Sequence, residues 1–374
     1  RPQSSRWYPG AGLYRKVRHI TLPEIHVPVW GTYVTTPYVG KDYADVRIRT
    51  KVNGVADDTP VTLKTRIIDA EGKVVAERTD TRPIHNGEFE QNIIVDNPSL
   101  WSPESPILYH AETEVYTGGS IDADWDLARP IFSIRHGEDF QDKVSTRFGF
   151  RTIGIRPDKG FFLNGEARKF RGVCLHHDLG PLGAAISKAA IRRQLTILKD
   201  MGCDAIRTSH NMPAEELIEL CDEMGFLVWD ECFDKWNETA GRRPGQNLED
   251  FVVRNLKRFV ERDRNHPSVV CWSVSNEIAP KGTIWGGADG QSRERNKLFR
   301  DTVRKLDPTR PVTAGLASLS LLDGDCVADL DLQGWNYEHT YAAARAKYPS
   351  VAFVYSESAS ALSSRGFYRI PQTR

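Results

Sequence analysis

Apolar and polar residues alternate along the first part of the chain with a period of two, which is typical of strands that bury one face. The alternation runs over residues 43–52, 61–69, 88–95 and 108–116. Short strands at this spacing, with turn residues between them, predict an antiparallel, immunoglobulin-like β-sandwich. Residues 118–142 are polar and irregular, and we expect either a long loop or an inserted hairpin there.

After Phe148 the pattern changes to apolar strands that alternate with amphipathic helices, which predicts a parallel sheet built from right-handed crossovers. The predicted strands lie near residues 170–175, 204–208, 226–230, 269–275, 311–315, 331–335 and 351–356. The predicted helices cover residues 191–201, 215–224, 248–265, 293–306 and 341–348, and Gly202 and Gly225 end the first two. No Gly-rich dinucleotide loop follows the first strand, so the repeats favour a (β/α)8 TIM barrel over an open sheet.

Three regions follow from this reading. Residues 1–22 carry aromatic and glycine residues followed by alternation, which indicates the last strand of an earlier β domain. Residues 23–150 form the sandwich, and residues 151–374 form the barrel. The eighth barrel strand does not occur in the sequence. We therefore expect the polypeptide to continue past Arg374, with an ordered part of something larger as the alternative.

Composition excludes several classes of function. Lys+Arg and Asp+Glu are both 50, so the formal net charge is zero and no nucleic-acid partner is indicated. No run approaches the roughly 20 apolar residues of a membrane span, so no membrane partner is predicted. The six cysteines form no CxxC pair and are expected to be buried free thiols. The sequence does not decide whether the protein forms a homo-oligomer. It also does not decide whether the protein is cytoplasmic or is periplasmic or secreted.

Polar residues follow the predicted barrel strands where each one ends, and TIM barrels carry their active sites at this edge. The residues are His176, His177, Asp178, Arg207, Ser209, His210, Asn211, Asp230, Glu231, Asn276, Glu277, Trp335, Asn336, Tyr337, Ser356 and Glu357. Their amides and carboxylates suit sugar hydroxyls, and Trp335 offers a face for a sugar ring. Glu277 and Glu357 are three strands apart and could face each other across the barrel mouth, as cleavage of a glycosidic bond requires.

Structural interpretations stay open beside the catalytic one. Asn276 and Glu277 could close any α/β strand. Arg207 could neutralise Asp230 or Glu231, because barrel edges also contain structural ion pairs.

The histidines do not form a metal-binding pattern. His176 and His177 are adjacent and therefore point to opposite sides of their strand, whereas a metal hydrolase needs two imidazoles on one face. His266 precedes its strand at the opposite end of the barrel, and we expect it to be a turn or cap residue.

Two long segments resemble the signature segments of glycoside hydrolase family 2: AIRTSHNMPAEELIELCDEMGFLVWDE at residues 205–231 and RNHPSVVCWSVSNE at residues 264–277. RGVCLHHDLGPLGAA at residues 171–185 resembles the first barrel strand and loop of the β-galactosidase-like members. SESASALSSRG at residues 356–366 resembles the segment that bears the nucleophile, and RWYPGAGLYR at residues 6–15 the end of the N-terminal jelly-roll domain. The resemblance covers nearly the whole chain in order.

The resemblance implies a retaining exo-β-glycosidase that hydrolyses terminal β-linked sugars by double displacement. It assigns Glu277 as acid/base and Glu357 as nucleophile, with Tyr337 donating a hydrogen bond to the nucleophile and Arg207 beside it. Glu357 must then be ionised and Glu277 protonated near neutral pH, with their carboxyl groups about 5–5.5 Å apart. Together with the composition of the barrel edge, it predicts a set of substrate-binding residues: Asn276, His176, His210, Asp230, Trp335 and Asn336.

The chain departs from the family pattern at one metal position. Magnesium-dependent galactosidases carry Glu-x-His shortly after the third strand, where this chain has Lys235, Trp236 and Asn237. A charged lysine does not bind Mg²⁺, so we predict neither a metal nor another cofactor. The expected substrate is an oligosaccharide or glycoside, with β-galactosides first. A β-glucuronidase and an inactive carbohydrate-binding or truncated homologue are the alternatives.

Overall fold

The structure, a computed structural model, describes residues 13–126, 129–234, 245–277, 292–316, 330–337 and 341–359. The first part of these residues folds into antiparallel sheets, and the second into parallel strands that alternate with helices. The predicted order, an immunoglobulin-like sandwich followed by a TIM barrel, is confirmed. No helix in the described ranges is both long enough and apolar enough to cross a membrane.

Seven strands form the sandwich in two antiparallel sheets. One sheet has the order β1 (Thr32–Val39), β2 (Tyr43–Lys51) and β5 (Glu88–Asp96). The other has the order β4 (Val74–Pro83), β3 (Pro60–Ile68), β6 (Tyr109–Thr117) and β9 (Asp139–Phe148). Val46 from the first sheet packs in one core with Ile67 and Ala111 from the second. Alternate side chains of β5 are buried, which is the predicted period of two.

A hairpin occupies part of the irregular region between β6 and β9. Its strands are β7 (Ser120–Asp126) and β8 (Arg129–Arg135), which pair antiparallel. Of the two interpretations that the sequence left open for residues 118–142, the inserted hairpin is therefore the correct one.

A small antiparallel sheet links the sandwich to the barrel, and the sequence pattern did not indicate it. Its strands β10 (Ile153–Arg156), β11 (Gly160–Leu163) and β12 (Glu166–Arg168) are too short to display a period. Phe161 and Leu163 pack against Ala205 and Leu227, which begin two barrel strands. The small sheet therefore covers the N-terminal end of the barrel, opposite the edge that was predicted to carry the chemistry.

The barrel sheet has parallel strands in chain order. They are β13 (Gly172–Leu175), β14 (Ala205–Thr208), β15 (Leu227–Glu231), β16 (Val269–Asn276), β17 (Val312–Leu316), β18 (Leu332–Asn336) and β19 (Ala352–Glu357). Each lies within about two residues of its predicted position. Among the described residues, β13 and β19 are the two edges of this sheet.

The connecting segments are mainly helical. They contain α1 (Lys188–Asp200), α2 (Glu215–Met224), α3 (Leu248–Asp263), α4 (Ser292–Leu306) and α5 (Tyr341–Lys347), with a short 3-10 turn at Gly180–Leu182. Ser187 is the N-cap residue of α1, and its side chain accepts a hydrogen bond from the backbone N–H of Ala190. Gly202 and Gly225 follow α1 and α2 with positive φ, as predicted.

Side chains of the barrel strands are divided between two cores. Val228 and Trp272 pack in a large cluster with residues of the helices. Trp229 and Cys271 instead pack with Leu332 and Ala352, from strands on the far side of the sheet, and such residues meet only inside the barrel. Because neighbours in a strand point to opposite sides, these two clusters establish which face of each strand is interior.

Buried hydrogen bonds tie the sandwich to the N-terminal side of the barrel. The Tyr33 hydroxyl donates to Asp307 Oδ1 at 2.7 Å, and Trp101 Nε1 donates to the backbone oxygen of Asp222 at 3.0 Å. His266 belongs to this junction too, since its Nδ1 lies 2.5 Å from Asp222 Oδ2. It is therefore an ion-pair residue, not merely the predicted turn or cap residue.

The N-terminal segment from residue 13 to residue 25 is extended and contains no strand. Arg15 donates to the backbone oxygen of Met212 at 2.8 Å, and Arg18 pairs with Glu215 at 2.6 Å. The segment thus lies against the loop that follows β14. The assignment of residues 1–22 to a jelly roll and the three domain boundaries stay predictions, and residues 1–12 lie outside the described part of the chain.

Candidate active site

Arg207 of β14 is the centre of a hydrogen-bonded network at the C-terminal edge of the barrel. Its Nη2 donates to Glu231 Oε2 at 2.7 Å and to Asn276 Oδ1 at 2.9 Å, and its Nη1 donates to Glu357 Oε1 at 2.6 Å. Burial lowers the pKa of this guanidinium, but the charges of Glu231 and Glu357 outweigh burial and leave the pKa above its usual value. Arg207 is therefore a permanent cation that joins β14 to three other strands.

Glu231, at the end of β15, is fully buried. His210 Nδ1 lies 2.6 Å from its Oε1, and the Ser273 hydroxyl donates to its Oε2 at 2.6 Å. Burial raises the pKa of Glu231, but the charge of Arg207 and the hydrogen bond of His210 more than offset this, so the pKa lies below its ordinary value. An ionised carboxylate can only accept, so His210 carries a proton on Nδ1. Glu231 thereby fixes the orientation of His210.

Glu357, at the end of β19, is held from two sides. Its Oε1 contacts Arg207 and lies 3.4 Å from His210 Nε2, while its Oε2 accepts a hydrogen bond from the Tyr337 hydroxyl. Tyr337 has a φ of 61°, and its N–H donates to the Glu357 backbone oxygen at 2.7 Å. Burial and the bond to Glu357 raise the pKa of Tyr337, so the phenol stays a donor at neutral pH.

Glu277 follows β16 in a left-handed conformation, with a φ of 49°. Its N–H donates to the Gly315 backbone oxygen at 2.7 Å. Asn336 Nδ2 donates to Asn276 Oδ1 at 2.8 Å and approaches Glu277 Oε1 at 3.4 Å. Because the Ser356 hydroxyl donates to Asn336 Oδ1 at 2.7 Å, Asn336 links the strands that carry the two candidate catalytic carboxylates.

A β-bulge turns Asn276 into the barrel. Ser273 pairs with Thr313 and Asn276 with Gly315, so β16 takes three steps where β17 takes two. Val274 faces the helices, and plain alternation would place Asn276 on the same side. The bulge instead directs the amide to Arg207, as bulges beside active sites commonly re-aim a side chain.

A second bulge acts on Glu357 in the same way. Trp335 pairs with Tyr355 and Asn336 with Glu357, so β19 has one extra residue at its end. Phe353 packs beside α5, and plain alternation would place Glu357 on that outer face. The extra residue turns its carboxylate inward to Arg207.

The two adjacent histidines separate, as the strand geometry predicted. The ring of His176 contacts the ring of His210 edge-on, with centroids 4.9 Å apart. His177 turns away, and its Nε2 lies 3.1 Å from the Ala184 backbone oxygen. Of this pair, His176 is therefore the one that joins the network.

Asp230, predicted to bind substrate, faces the helix layer instead. Its neighbour Glu231 occupies the interior position, and only one of two adjacent strand residues can do so. Asp230 Oδ1 accepts from the Thr208 hydroxyl at 3.1 Å, and burial together with the charge of Asp263 raises the pKa of Asp230 well above its usual value. Of the two possible ion-pair partners of Arg207 named from the sequence, Glu231 is therefore the one that pairs with it, and Asp230 is not.

Trp335, predicted to offer a ring face to a sugar, is also on the outer side. It packs against Ala344 of α5, and its ring centroid lies 5.9 Å from that of Phe353. Asn336 takes the interior position next to it. The sugar-stacking prediction for Trp335 is therefore corrected for the same reason as that for Asp230.

Three members of the network were not predicted from the sequence: Ser273, Asp234 and Cys174. Asn276 Nδ2 donates to Asp234 Oδ1 at 2.9 Å, and Cys174 Sγ lies 3.7 Å from Arg207 Nη1. Ser273 could have been found, since it shares a strand face with the interior residue Cys271 two positions earlier. Asp234 lies beyond the end of β15, where no period applies.

The described part of the chain contains no group of three or more His, Cys, Asp and Glu side chains that could hold a metal ion. Lys235, Trp236 and Asn237, on which the prediction about magnesium rests, lie outside the described residues.

Carboxylates at the C-terminal edge of a parallel barrel, set among amides and imidazoles that suit sugar hydroxyls, define a site of the glycoside hydrolase class. Comparison with known families agrees. The model for the TIM barrel domain of glycosyl hydrolases family 2 matches residues 155–323, and a second model for glycosyl hydrolases family 2 matches residues 26–126.

Individual relatives match over most of the chain. The β-galactosidase BoGH2A of Bacteroides ovatus is 37% identical over 99% of this chain and 45% of its own length. Human β-glucuronidase is 30% identical over 81% of this chain and 41% of its own length. The crystal structure of a glycosyl hydrolase family 2 member from Bacteroides cellulosilyticus superposes with a TM-score of 0.80 at 32% identity, covering 98% of this chain and 47% of that one. The chain belongs to glycoside hydrolase family 2, and it spans less than half the length of these relatives.

Proposed function

We propose that this chain carries both catalytic carboxylates of a retaining exo-β-glycosidase that removes terminal β-linked sugars, with β-galactosides as the preferred substrates. The observation that carries the proposal is the environment of Glu357. One oxygen of its carboxylate contacts the permanent cation Arg207, and the other accepts a hydrogen bond from Tyr337. A carboxylate oriented in this way by a cation and a hydroxyl donor is suited to attack an anomeric carbon.

In the proposed reaction Glu357 is the nucleophile and Glu277 the acid/base. Glu357 forms a bond to the anomeric carbon while Glu277 gives its proton to the departing glycosidic oxygen. Glu277 then takes a proton from water, whose oxygen attacks the same carbon and releases Glu357. Two inversions give a product with the configuration of the substrate.

The other interior residues are assigned to binding and orientation. We assign Asn276 to the hydroxyl next to the anomeric carbon, and His176, His210 and Asn336 to the rest of the sugar. Asp230 and Trp335 are left out of this set because both face the helix layer.

The choice of sugar rests on the relatives. The Bacteroides ovatus relative, 37% identical over 99% of the chain, is named a β-galactosidase, which favours galactosides. The second candidate is a β-glucuronidase, because the human relative, 30% identical, carries that name.

A panel of nitrophenyl β-glycosides tests the function. We expect hydrolysis of the β-galactoside to exceed that of the β-glucuronide, and the reverse order would establish the second candidate. Glu357→Gln should abolish turnover on every active substrate, whereas Glu219→Gln, a change of a partly exposed carboxylate on α2, should leave it unaltered. Activity of Glu357→Gln equal to wild type would exclude Glu357 as nucleophile.

The acid role of Glu277 has its own test. Glu277→Gln should slow cleavage of a disaccharide by about 10² to 10⁴-fold, and cleavage of a nitrophenyl glycoside by less, because nitrophenolate leaves without a proton. Equal losses on both substrates would contradict the assignment. Proton NMR of the first product should show the β-anomer before mutarotation, and an α-anomer would contradict double displacement.

A further inference from the structure

A cavity of about 270 Å³ lies at the junction between the sandwich and the barrel, on the opposite side from the candidate active site. We call it the junction cavity. Its walls are the bulged end of β1, the end of β9 with the residues that follow it, and the two turns that precede β16 and β17: residues 34–37, 148–149, 151–153, 264–265, 267 and 309–310. It therefore collects residues from both halves of the chain.

The charged residues that line the junction cavity are all cations. They are Arg151, Arg264 and Arg310, and no aspartate or glutamate occurs among its described lining residues. Arg264 and Arg310 are each 6% exposed. Positive charge is therefore concentrated at one cavity, and two of its three arginines are buried.

The carboxylate of Asp307 compensates one of the three arginines. Arg310 Nη1 donates to Asp307 Oδ2 at 2.6 Å. The other oxygen of that carboxylate accepts from the Tyr33 hydroxyl at 2.7 Å. Both oxygens of Asp307 thus already have partners, Arg310 and Tyr33.

Arg264 is compensated only at longer range within the described residues, by the charge of Glu261, and burial outweighs that charge and lowers the pKa of Arg264. It forms no ion pair there, its Nη1 and Nη2 have only 3.4 Å bonds to backbone oxygens, and its Nε has no hydrogen-bond partner. Its guanidinium also stacks on the Tyr33 ring, with the carbon 4.3 Å from the centroid. A buried guanidinium with an unused donor is costly unless an acceptor completes it.

Arg151 likewise has no ion pair among the described residues. Its Nε and Nη2 donate to the backbone oxygens of Pro267 and Val269 at 2.5 and 2.7 Å, and no carboxylate of the described residues pairs with it. Burial and the neighbouring charge of Arg310 lower the pKa of Arg151 to about 9. An anion in the junction cavity would relieve both effects.

We propose that the junction cavity binds a small tetrahedral oxyanion, phosphate or sulfate, either free or as the ester group of a small molecule. Arg264 and Arg151 provide the charge that the anion neutralises, since guanidinium groups match the oxygens of phosphate and sulfate in geometry. Such an anion bridges the sandwich to the barrel and so stabilises their junction. The site is separate from the carboxylates of the proposed glycosidase and does not depend on their function.

Thermal unfolding and calorimetric titration of the purified protein test this site. Inorganic phosphate and sulfate should raise the Tm in a saturable way, beyond sodium chloride at the same ionic strength. Glucose 6-phosphate forms a further arm of the titration. Binding of free phosphate identifies a free oxyanion as a ligand, whereas binding of the ester alone identifies an ester as the occupant.

Variants assign the binding to the junction cavity. Arg264→Gln should weaken the anion by about tenfold or more, because a charge-assisted contact is lost. Arg264→Lys should retain part of the affinity, and the thermal unfolding of Arg264→Gln without anion shows whether that variant is folded. Arg258→Gln, an exposed change on α3, should bind as wild type does. The proposal is overturned if chloride stabilises as well as phosphate, sulfate and the ester do, or if Arg264→Gln and Arg258→Gln bind the anion equally.

Discussion

Arg207 and Glu231 form a bidentate ion pair next to the proposed nucleophile Glu357. The Arg207 side chain is 5% exposed and the Glu231 side chain 0%. Glu231 takes up two of the guanidinium nitrogens, Nε and Nη2, and leaves Nη1 to hold Glu357. The same carboxylate orients His210. Glu231 is thus a positioning residue, because it acts through Arg207 and His210 and not on the substrate itself.

The first prediction concerns Glu231→Gln. The variant leaves Arg207 with less compensating charge and removes the strong acceptor for His210, so Glu357 loses its orientation. We expect kcat to fall by up to about 100-fold with a smaller change in KM. We also expect the free energy of unfolding to fall by about 3–5 kcal/mol, because a buried pair is broken. Steady-state kinetics well below the Tm and urea unfolding measure the two effects.

Asp230→Asn is the matched control for Glu231→Gln. It changes the adjacent carboxyl group, which faces the helices, and burial together with the charge of Asp263 raises its pKa well above the usual value. We expect kcat near that of wild type. If Asp230→Asn lowers kcat as much as Glu231→Gln does, the interior and exterior assignments of these two residues are wrong.

The second prediction concerns Tyr337→Phe. The variant loses the hydroxyl that donates to Glu357, and a hydrogen bond to a charged group contributes about 1.5–3 kcal/mol, so kcat should fall by about 10 to 100-fold. Stability should change little, since Tyr337 is 44% exposed. Because the pKa of Tyr337 is raised, the alkaline limb of the pH–rate profile should lie at the same pH in variant and wild type.

Kinetics across pH, together with thermal unfolding, check this prediction. Tyr43→Phe, which alters a partly exposed phenol in the sandwich, is the control and should leave kcat unchanged. An alkaline limb that disappears in Tyr337→Phe would mean that the phenol titrates in the working range, contrary to the expectation.

Much of this architecture could be predicted from the residues, because strands such as β16 are mainly apolar runs and helices such as α2 have a clear apolar period. The site residues were harder. Asp230 and Glu231 are adjacent in a strand, so one of their carboxyl groups points into the barrel and the other points out. The sequence alone does not tell which one points inward. The contacts of Trp229 inside the barrel decide it, and they are known only from the structure. Asn276 and Glu357 face inward through bulges, which depend on the pairing of two strands and leave no mark in either one alone.

The junction between the two halves of the chain could not be predicted for a different reason. His266 and Asp222 are 44 positions apart and belong to different elements. No local period connects them, and only the assembled sandwich and barrel bring Arg147 of β9 within 3.3 Å of the same carboxylate.

The third prediction concerns metal dependence. We expect turnover to be unchanged after dialysis against EDTA, because the resemblance aligns Lys235 with a magnesium ligand of magnesium-dependent galactosidases, and a charged lysine cannot bind the cation. Activity is measured before and after dialysis, and again after addition of Mg²⁺. A loss that Mg²⁺ restores would contradict the prediction. Unfolding curves with and without EDTA separate a catalytic metal from a structural one.

The fourth prediction concerns the pH dependence of stability, through His266 and Asp222. Burial lowers the pKa of His266, but the charge and hydrogen bond of Asp222 outweigh it and raise the pKa above the usual value. Burial raises the pKa of Asp222, but His266 and Arg147 bring it below the usual value. Between these two pKa values both groups are charged, and the pair is at full strength.

The sign of the effect follows from His266. A group whose pKa is raised by folding binds its proton more tightly in the folded state, so its contribution is complete below about pH 6.5 and is lost as the pH rises through the folded pKa. His266→Gln should therefore lower the free energy of unfolding by about 1.5–3 kcal/mol at pH 6, and by less at pH 9. Below about pH 4 the difference should shrink again, because Asp222 becomes protonated as the pH falls through its lowered pKa.

Urea unfolding at pH 3, 6 and 9 measures these differences. His85→Gln is the matched control, because His85 pairs with Asp58 at the surface, where both side chains are more than half exposed. Solvent and salt screen such a pair, so its loss should change stability little at any of the three pH values. A difference between wild type and His266→Gln that is equal at pH 6 and pH 9 would show that the imidazole acts there through packing and not through its charge.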